Sequence, residues 1–172
     1  MQFLLEIAKH TRLNFIKLMD GLTIEQLNVI PQGYNNNIAW NFAHIVAAQQ
    51  TLCYVRGHVD TRIPLDRISK YQRGTSPQGF ISEEELGFYK EHAFTLLDEV
   101  KADVDAELFG NYEEITTMFG VTLSNVNDAV AYFVTHDNLH YGYALALRRA
   151  VLAETNAEQA ETTELQNTIN NN

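Results

Sequence analysis

The sequence predicts an all-α fold, a four-helix up-down-type bundle with a long crossover between helices 2 and 3. Two observations carry this. Four long stretches repeat apolar residues at the i, i+3, i+4, i+7 spacing of a helix face, and no segment sustains the period-two alternation of a half-buried strand. A chain of 172 residues, 45% of them hydrophobic, suits one domain with its own core.

The first helix is expected over residues 2–20, where Phe3, Leu4, Ile7, Thr11, Phe15, Leu18 and Met19 share a face and Gly21 ends the run. Thr23-Ile24-Glu25-Gln26 has the form of a capping box opening a short turn before Pro31 and Gly33. The second main helix starts from the N-cap residues Asn35-Asn36-Asn37 and runs to about Arg56. Trp40, His44, Ala47, Ala48 and Thr51 form one stripe along it. Residues 58–81, with Pro64, Gly74, Pro77 and Gly79, read as the crossover, holding one short helical turn; a connection this long is more often functional, or a lid, than a simple linker. Ser82 followed by three glutamates opens the third helix, which continues to about Val104. After an irregular stretch, residues 105–123, either Thr122 or Ser124 is expected to cap a broad apolar fourth helix over 124–154. Residues 1–154 thus make the bundle, and the Asn-, Gln- and Glu-rich residues 155–172 a polar, disordered tail.

Net charge of −10 and scattered lysines and arginines argue against nucleic acid and anionic membrane surfaces as partners. No apolar run spans a bilayer, and the amphipathic N-terminus lacks the features of a signal peptide. The single cysteine, Cys53, permits no intrachain disulfide and favours a cytoplasmic location.

The chemistry-bearing feature is the pair His136 and His140, four residues apart on the fourth helix. This spacing stacks two imidazoles on one face, where both can reach one metal ion. The pair alone is a chance-prone pattern. His44 adds weight, because an imidazole on an apolar helix beside Trp40 needs a partner. A divalent ion shared by His44, His136 and His140 is an economical one, and three histidines leave coordination positions open, as in catalytic sites. Zn²⁺ or Ni²⁺ heads the candidates, although imidazole suits other divalent ions. Tyr143 and Trp40 are candidate pocket-lining residues, with core packing favoured for Tyr143. Asp137 is either a hydrogen-bond acceptor for a ligand histidine or solvent-exposed. His10, His58 and His92 read as boundary or surface residues, and Cys53 lies off the histidine face.

Three stretches resemble the DinB-like superfamily of four-helix proteins, which includes bacillithiol-transferase-type metal-dependent hydrolases. They are Gly21-Leu22-Thr23-Ile24-Glu25-Gln26-Leu27-Asn28, Asn37-Ile38-Ala39-Trp40-Asn41-Phe42-Ala43-His44-Ile45, and His136-Asp137-Asn138-Leu139-His140-Tyr141-Gly142. The second is similar to that family's Trp-x-x-x-His helix, the third to its His-x-x-x-His-x-Gly signature. The resemblance implies metal-ligand roles for His44, His136 and His140, a homodimer, and thiol transfer or hydrolysis on a small-molecule substrate or low-molecular-weight thiol. Many members continue the last motif as His-Arg-Gly-Gln, whereas this chain has His140-Tyr141-Gly142-Tyr143. The ligand positions carry over; the surrounding residues and the substrate do not. No carboxylate stands out as a general base, so a non-catalytic metal- or ligand-binding dimeric bundle with a stress or sensor role stands beside the enzyme reading.

Overall fold

The computed structural model describes residues 1–170, and it is mostly helical. Helix α1 spans Gln2–Met19, α2 Ile24–Asn28, α3 Ile38–Gln50, α4 Leu65–Lys70, α5 Glu83–Asp105 and α6 Val126–Asn170. Helix α1 packs on α5 and α6, and α3 packs on the same two. Every residue of α3 is buried, so this helix is the centre around which the others assemble. The fourth long helix carries on through the polar residues after Thr155, which the composition had assigned to a disordered tail. Ala, Glu and Gln there favour helix, and adding residues to an existing helix needs no new nucleus. Among the described residues no helix is long and apolar enough to cross a membrane.

The helix starts follow local chemistry. Thr23 and Gln26 form the reciprocal capping box. Asn37 Oδ1 accepts the Trp40 amide at 2.8 Å, and Ser82 Oγ accepts that of Glu85 at 3.1 Å. At α6 the cap falls on neither Thr122 nor Ser124 but on Asn125, whose Oδ1 accepts the amides of Asn127 and Asp128. Ser124 is held instead through its own amide, donated to Asp128 Oδ2.

Two elements were not foreseen. Helix α3 continues into a π-helical turn, Thr51–Val55, where the Arg56 amide donates to the Thr51 carbonyl. Such widened turns concentrate at functional sites. The stretch after α5 holds a small antiparallel hairpin, β1 (Ile115–Thr116) with β2 (Thr122–Leu123). Two-residue strands are too short to show an alternating pattern. The hairpin is tied to the end of α3 by the Glu113 amide, which donates to the Arg56 carbonyl at 2.7 Å.

The buried face of α1 consists of Leu5, Ala8, Thr11, Arg12, Phe15, Leu18 and Met19, while Phe3, expected on that face, is exposed. Arg12 is wholly buried. Its Nε donates to Asp137 Oδ2 at 2.9 Å, and its Nη1 donates to Gln49 Oε1 at 2.9 Å and to the Ala93 carbonyl at 2.8 Å. One side chain of α1 therefore ties α3, α5 and α6 together.

Candidate metal centre

His44 from α3 and His136 and His140 from α6 meet beside the π turn. One ring nitrogen from each lies within 4.8 Å of the other two. The Nε2 atoms of His44 and His136 are 3.2 Å apart. The rings of His136 and His140 are 4.5 Å apart, as are those of His44 and His140. A zinc–imidazole bond of about 2.1 Å in tetrahedral geometry sets ligand nitrogens about 3.4 Å apart, so the observed spacing is on the right scale for one ion.

Two of the three rings are oriented by hydrogen bonds at the far nitrogen. His44 Nδ1 donates to the Tyr71 carbonyl at 2.6 Å, and His140 Nδ1 donates to Asn41 Oδ1 at 2.7 Å. With the Nδ1 protons committed, each Nε2 presents a lone pair to the shared space, the state a metal ligand needs. Asn41 is itself held, its Nδ2 donating to the Asn37 carbonyl at 2.7 Å and to Asn36 Oδ1 at 2.8 Å. Trp40 stacks on His44 with ring centroids 4.6 Å apart and planes 10° off parallel, which fixes the ring's tilt. His136 has no such support: its buried Nδ1 finds no partner among the described residues.

Burial keeps all three imidazoles neutral. It lowers the pKa of His44, with the Tyr71 bond opposing, and takes His136 to about 3 and His140 to about 2, helped by the neighbouring histidines. Neutral imidazoles are what a divalent cation binds. The residues present therefore fit a divalent metal: three imidazole nitrogens on one space, two of them with the lone pair turned inward by a hydrogen bond at the far nitrogen.

The histidines line a cavity of about 520 Å³. Trp40, Ala48, Thr51, Leu52 and Arg56 line it from α3 and the π turn; Gln72, Arg73 and Gly74 from the segment after α4; Ile115, Thr117 and Met118 from the hairpin; Tyr132 from α6. No Asp or Glu is among the lining residues. Trp40 thus lines the pocket and Tyr143 does not. Tyr143 packs on Tyr34, ring centroids 5.6 Å apart, at the far side of the histidines. The aromatic that joins the cavity is Tyr132, one turn before His136, because the space opens toward the start of α6, where the hairpin closes it.

Asp137 points away from the histidines and is fully buried against Arg12, so it is neither a surface residue nor an acceptor for a ligand ring. Burial raises its pKa to about 6, with the Arg12 guanidinium opposing. Cys53 is buried, and desolvation pushes its thiol up, which keeps it protonated and unreactive. His10 and His58 are exposed, and His92 donates from Nδ1 to the Phe88 carbonyl on its own helix. Asn41, Tyr71 and Tyr132 belong to the site as well, outside the candidates that the sequence motifs supply. Only Asn41 carried a signal, lying one turn before His44.

A helical protein that gathers three histidines from two helices onto an open, carboxylate-free cavity fits the class of metal-binding proteins. The DinB superfamily matches residues 8–144, which include all three histidines, and the chain belongs to that superfamily. Its members bind divalent metal, and the three histidines could hold such an ion here. No curated protein matches the sequence.

Proposed function

We propose that the protein is a divalent-metal-dependent enzyme that transfers a low-molecular-weight thiol to an electrophile, with His44, His136 and His140 as the ligands and Zn²⁺ or Ni²⁺ as the ion. The observation that carries the reading is the trio of inward-facing nitrogens opening onto a cavity of about 520 Å³. Such an ion, when bound, lowers the pKa of a coordinated thiol or water and makes it a nucleophile at neutral pH. Because no carboxylate lines the cavity to serve as general base, thiol transfer suits the site better than hydrolysis. Trp40 and Tyr71 hold His44, Asn41 holds His140, and Leu52, Ile115, Met118 and Tyr132 form an apolar wall for an electrophile.

We further propose the up-down topology for the four long helices, residues 1–154 as the compact unit with 155–172 appended, and a cytoplasmic homodimer that binds neither membrane nor nucleic acid.

Elemental analysis of protein purified without added metal tests the centre. The wild type is expected to carry about one equivalent of a divalent ion, and the His44→Ala variant very little; equal content in the two would end the three-histidine proposal. Loaded protein should then consume a thiol together with an alkyl halide or epoxide. Tight metal binding without turnover across a broad panel would favour the second reading, a non-catalytic metal- or ligand-binding bundle with a stress or sensor role.

A further inference from the structure

The cavity carries the opposite charge to the chain that encloses it. The sequence has 22 acidic residues against 12 lysines and arginines, yet the lining includes Arg56 and Arg73 and no acid. Arg56 is ion-paired with Glu113. Arg73 has no hydrogen-bond or ion-pair partner among the described residues, and it is exposed at the edge of the cavity.

Arg73 is nevertheless placed by a defined turn. The Thr75 amide donates to the Gln72 carbonyl at 3.2 Å, and Thr75 Oγ1 donates to the Gln72 and Lys70 carbonyls at 2.8 and 3.1 Å. Gly74 supplies the φ of +88° that the turn needs. Two residues before Arg73, the Tyr71 carbonyl accepts the His44 Nδ1 proton, and the Tyr71 hydroxyl donates to Glu85 at 2.8 Å. A single short segment thus orients one histidine and presents a free guanidinium to the same space.

We propose that the site's substrate is a small carboxylate-bearing molecule, its acid group held by Arg73 while its reacting heteroatom reaches the three histidines. This rests on the reading of those histidines as the reaction centre. A planar guanidinium matches a carboxylate with two parallel hydrogen bonds. Arg56 is neutralised by Glu113, so the lining offers one uncompensated positive charge, which matches a monoanion better than a phosphate dianion. The absence of lining acids leaves nothing to repel an anion, in a protein whose outer field repels anions generally.

Trp40 is the chain's single tryptophan and lines the cavity, so its fluorescence reports occupancy without turnover. The full-length protein, metal-free and zinc-loaded, is titrated with 3-mercaptopropionate, with the uncharged 3-mercaptopropan-1-ol and with inorganic phosphate. The wild type should bind the acid about tenfold more tightly than the alcohol, which corresponds to one charge-assisted contact, and added salt should narrow the gap. Arg73→Gln should abolish the preference while leaving alcohol binding unchanged, and Arg73→Lys should keep part of it. Equal binding of acid and alcohol by the wild type, a preference that survives in Arg73→Gln, tighter binding of phosphate than of the acid, or no acid binding in either form would each overturn the proposal. Zinc content of the same samples is scored separately. Failure to take up zinc would count against the metal centre, while acid preference in metal-free protein still decides the role of Arg73.

Discussion

The Nε2 atoms of His44 and His136 face each other at 3.2 Å, and His44 has already committed its Nδ1 proton to the Tyr71 carbonyl. In metal-free protein at most one proton fits between them. Protonating the trio would place like charges in contact in a buried space. The folded pKa values of His136 and His140, about 3 and about 2, lie below the usual 6.5, and that of His44 is lowered too.

From this contact the acid response of metal-free protein follows. Below about pH 6.5 the unfolded chain takes up protons that the folded chain refuses, so stability falls as pH falls. Each histidine contributes a slope of up to about 1.4 kcal/mol per pH unit. Asp137, raised from 3.8 to about 6, acts in the opposite sense between those values, offsetting about one histidine's share. The net expectation is lower stability at pH 5 than at pH 7, measured by urea denaturation after chelation, with a shallower slope in His140→Gln. A flat or inverted profile would show that the imidazoles are not held neutral.

Asn41 is expected to act on the metal through His140. Asn41→Ala removes the acceptor for His140 Nδ1–H and frees the ring to rotate. Loss of such an orienting partner typically weakens metal affinity about 10- to 100-fold. Competition against a chromophoric chelator measures it, with circular dichroism to confirm an unchanged helix content. Asn41→Asp restores an acceptor and should recover most of the affinity. If Asn41→Ala binds zinc as the wild type does, the bond has no part in holding the ligand.

What the sequence disclosed here depended on range. His136 and His140 were legible because four-residue spacing is a local property of a helix, and His44 because an imidazole beside a tryptophan on an apolar stripe stands out. The choice between Tyr132 and Tyr143 was not legible. Both lie on the histidine side of α6, and only the position of the hairpin decides which end of that stripe opens into space. The Tyr71 carbonyl left no trace in side-chain pattern. Arg12 did leave one, a charge in the middle of the apolar face of α1, but its partner lies 125 residues away. The caps at Thr23, Asn37 and Ser82 are local and were readable; the one at Asn125 competed with Ser124, of equal capping propensity, and with Thr122.

Breaking the Arg12–Asp137 pair should be the most damaging change outside the histidines. Arg12→Met leaves an uncompensated carboxylate in a site with no solvent access and also frees Gln49 Oε1 and the Ala93 carbonyl. Losing one partner of a buried pair costs about 3–5 kcal/mol. Asp137→Asn keeps the shape and an oxygen acceptor and should cost less. Chemical denaturation of both variants checks the order. Since Arg12 also helps to hold down the pKa of His136, its removal should move that histidine's titration upward, readable by NMR of the ring protons in metal-free protein.

Gly57 tests the packing that sets the end of α3. It is buried, and a methyl group placed on it would lie 2.5 Å from the Cys53 carbonyl oxygen and 2.6 Å from Phe109 Cδ1. The phenylalanine ring can shift, but the carbonyl cannot, because it accepts the Gly57 amide at 3.0 Å and belongs to the π turn. Gly57→Ala should therefore destabilise by about 1–3 kcal/mol, the usual range for an overpacked core. Adding Phe109→Ala, which removes both nearby ring atoms, should recover only part of the loss when the double variant is measured against Phe109→Ala alone. The π turn also places Thr51 and Leu52 in the cavity wall, so the variant should blunt the change in Trp40 fluorescence when 3-mercaptopropionate binds. Full recovery of stability in the double variant would assign the strain to Phe109 alone and release the π turn from any role in it.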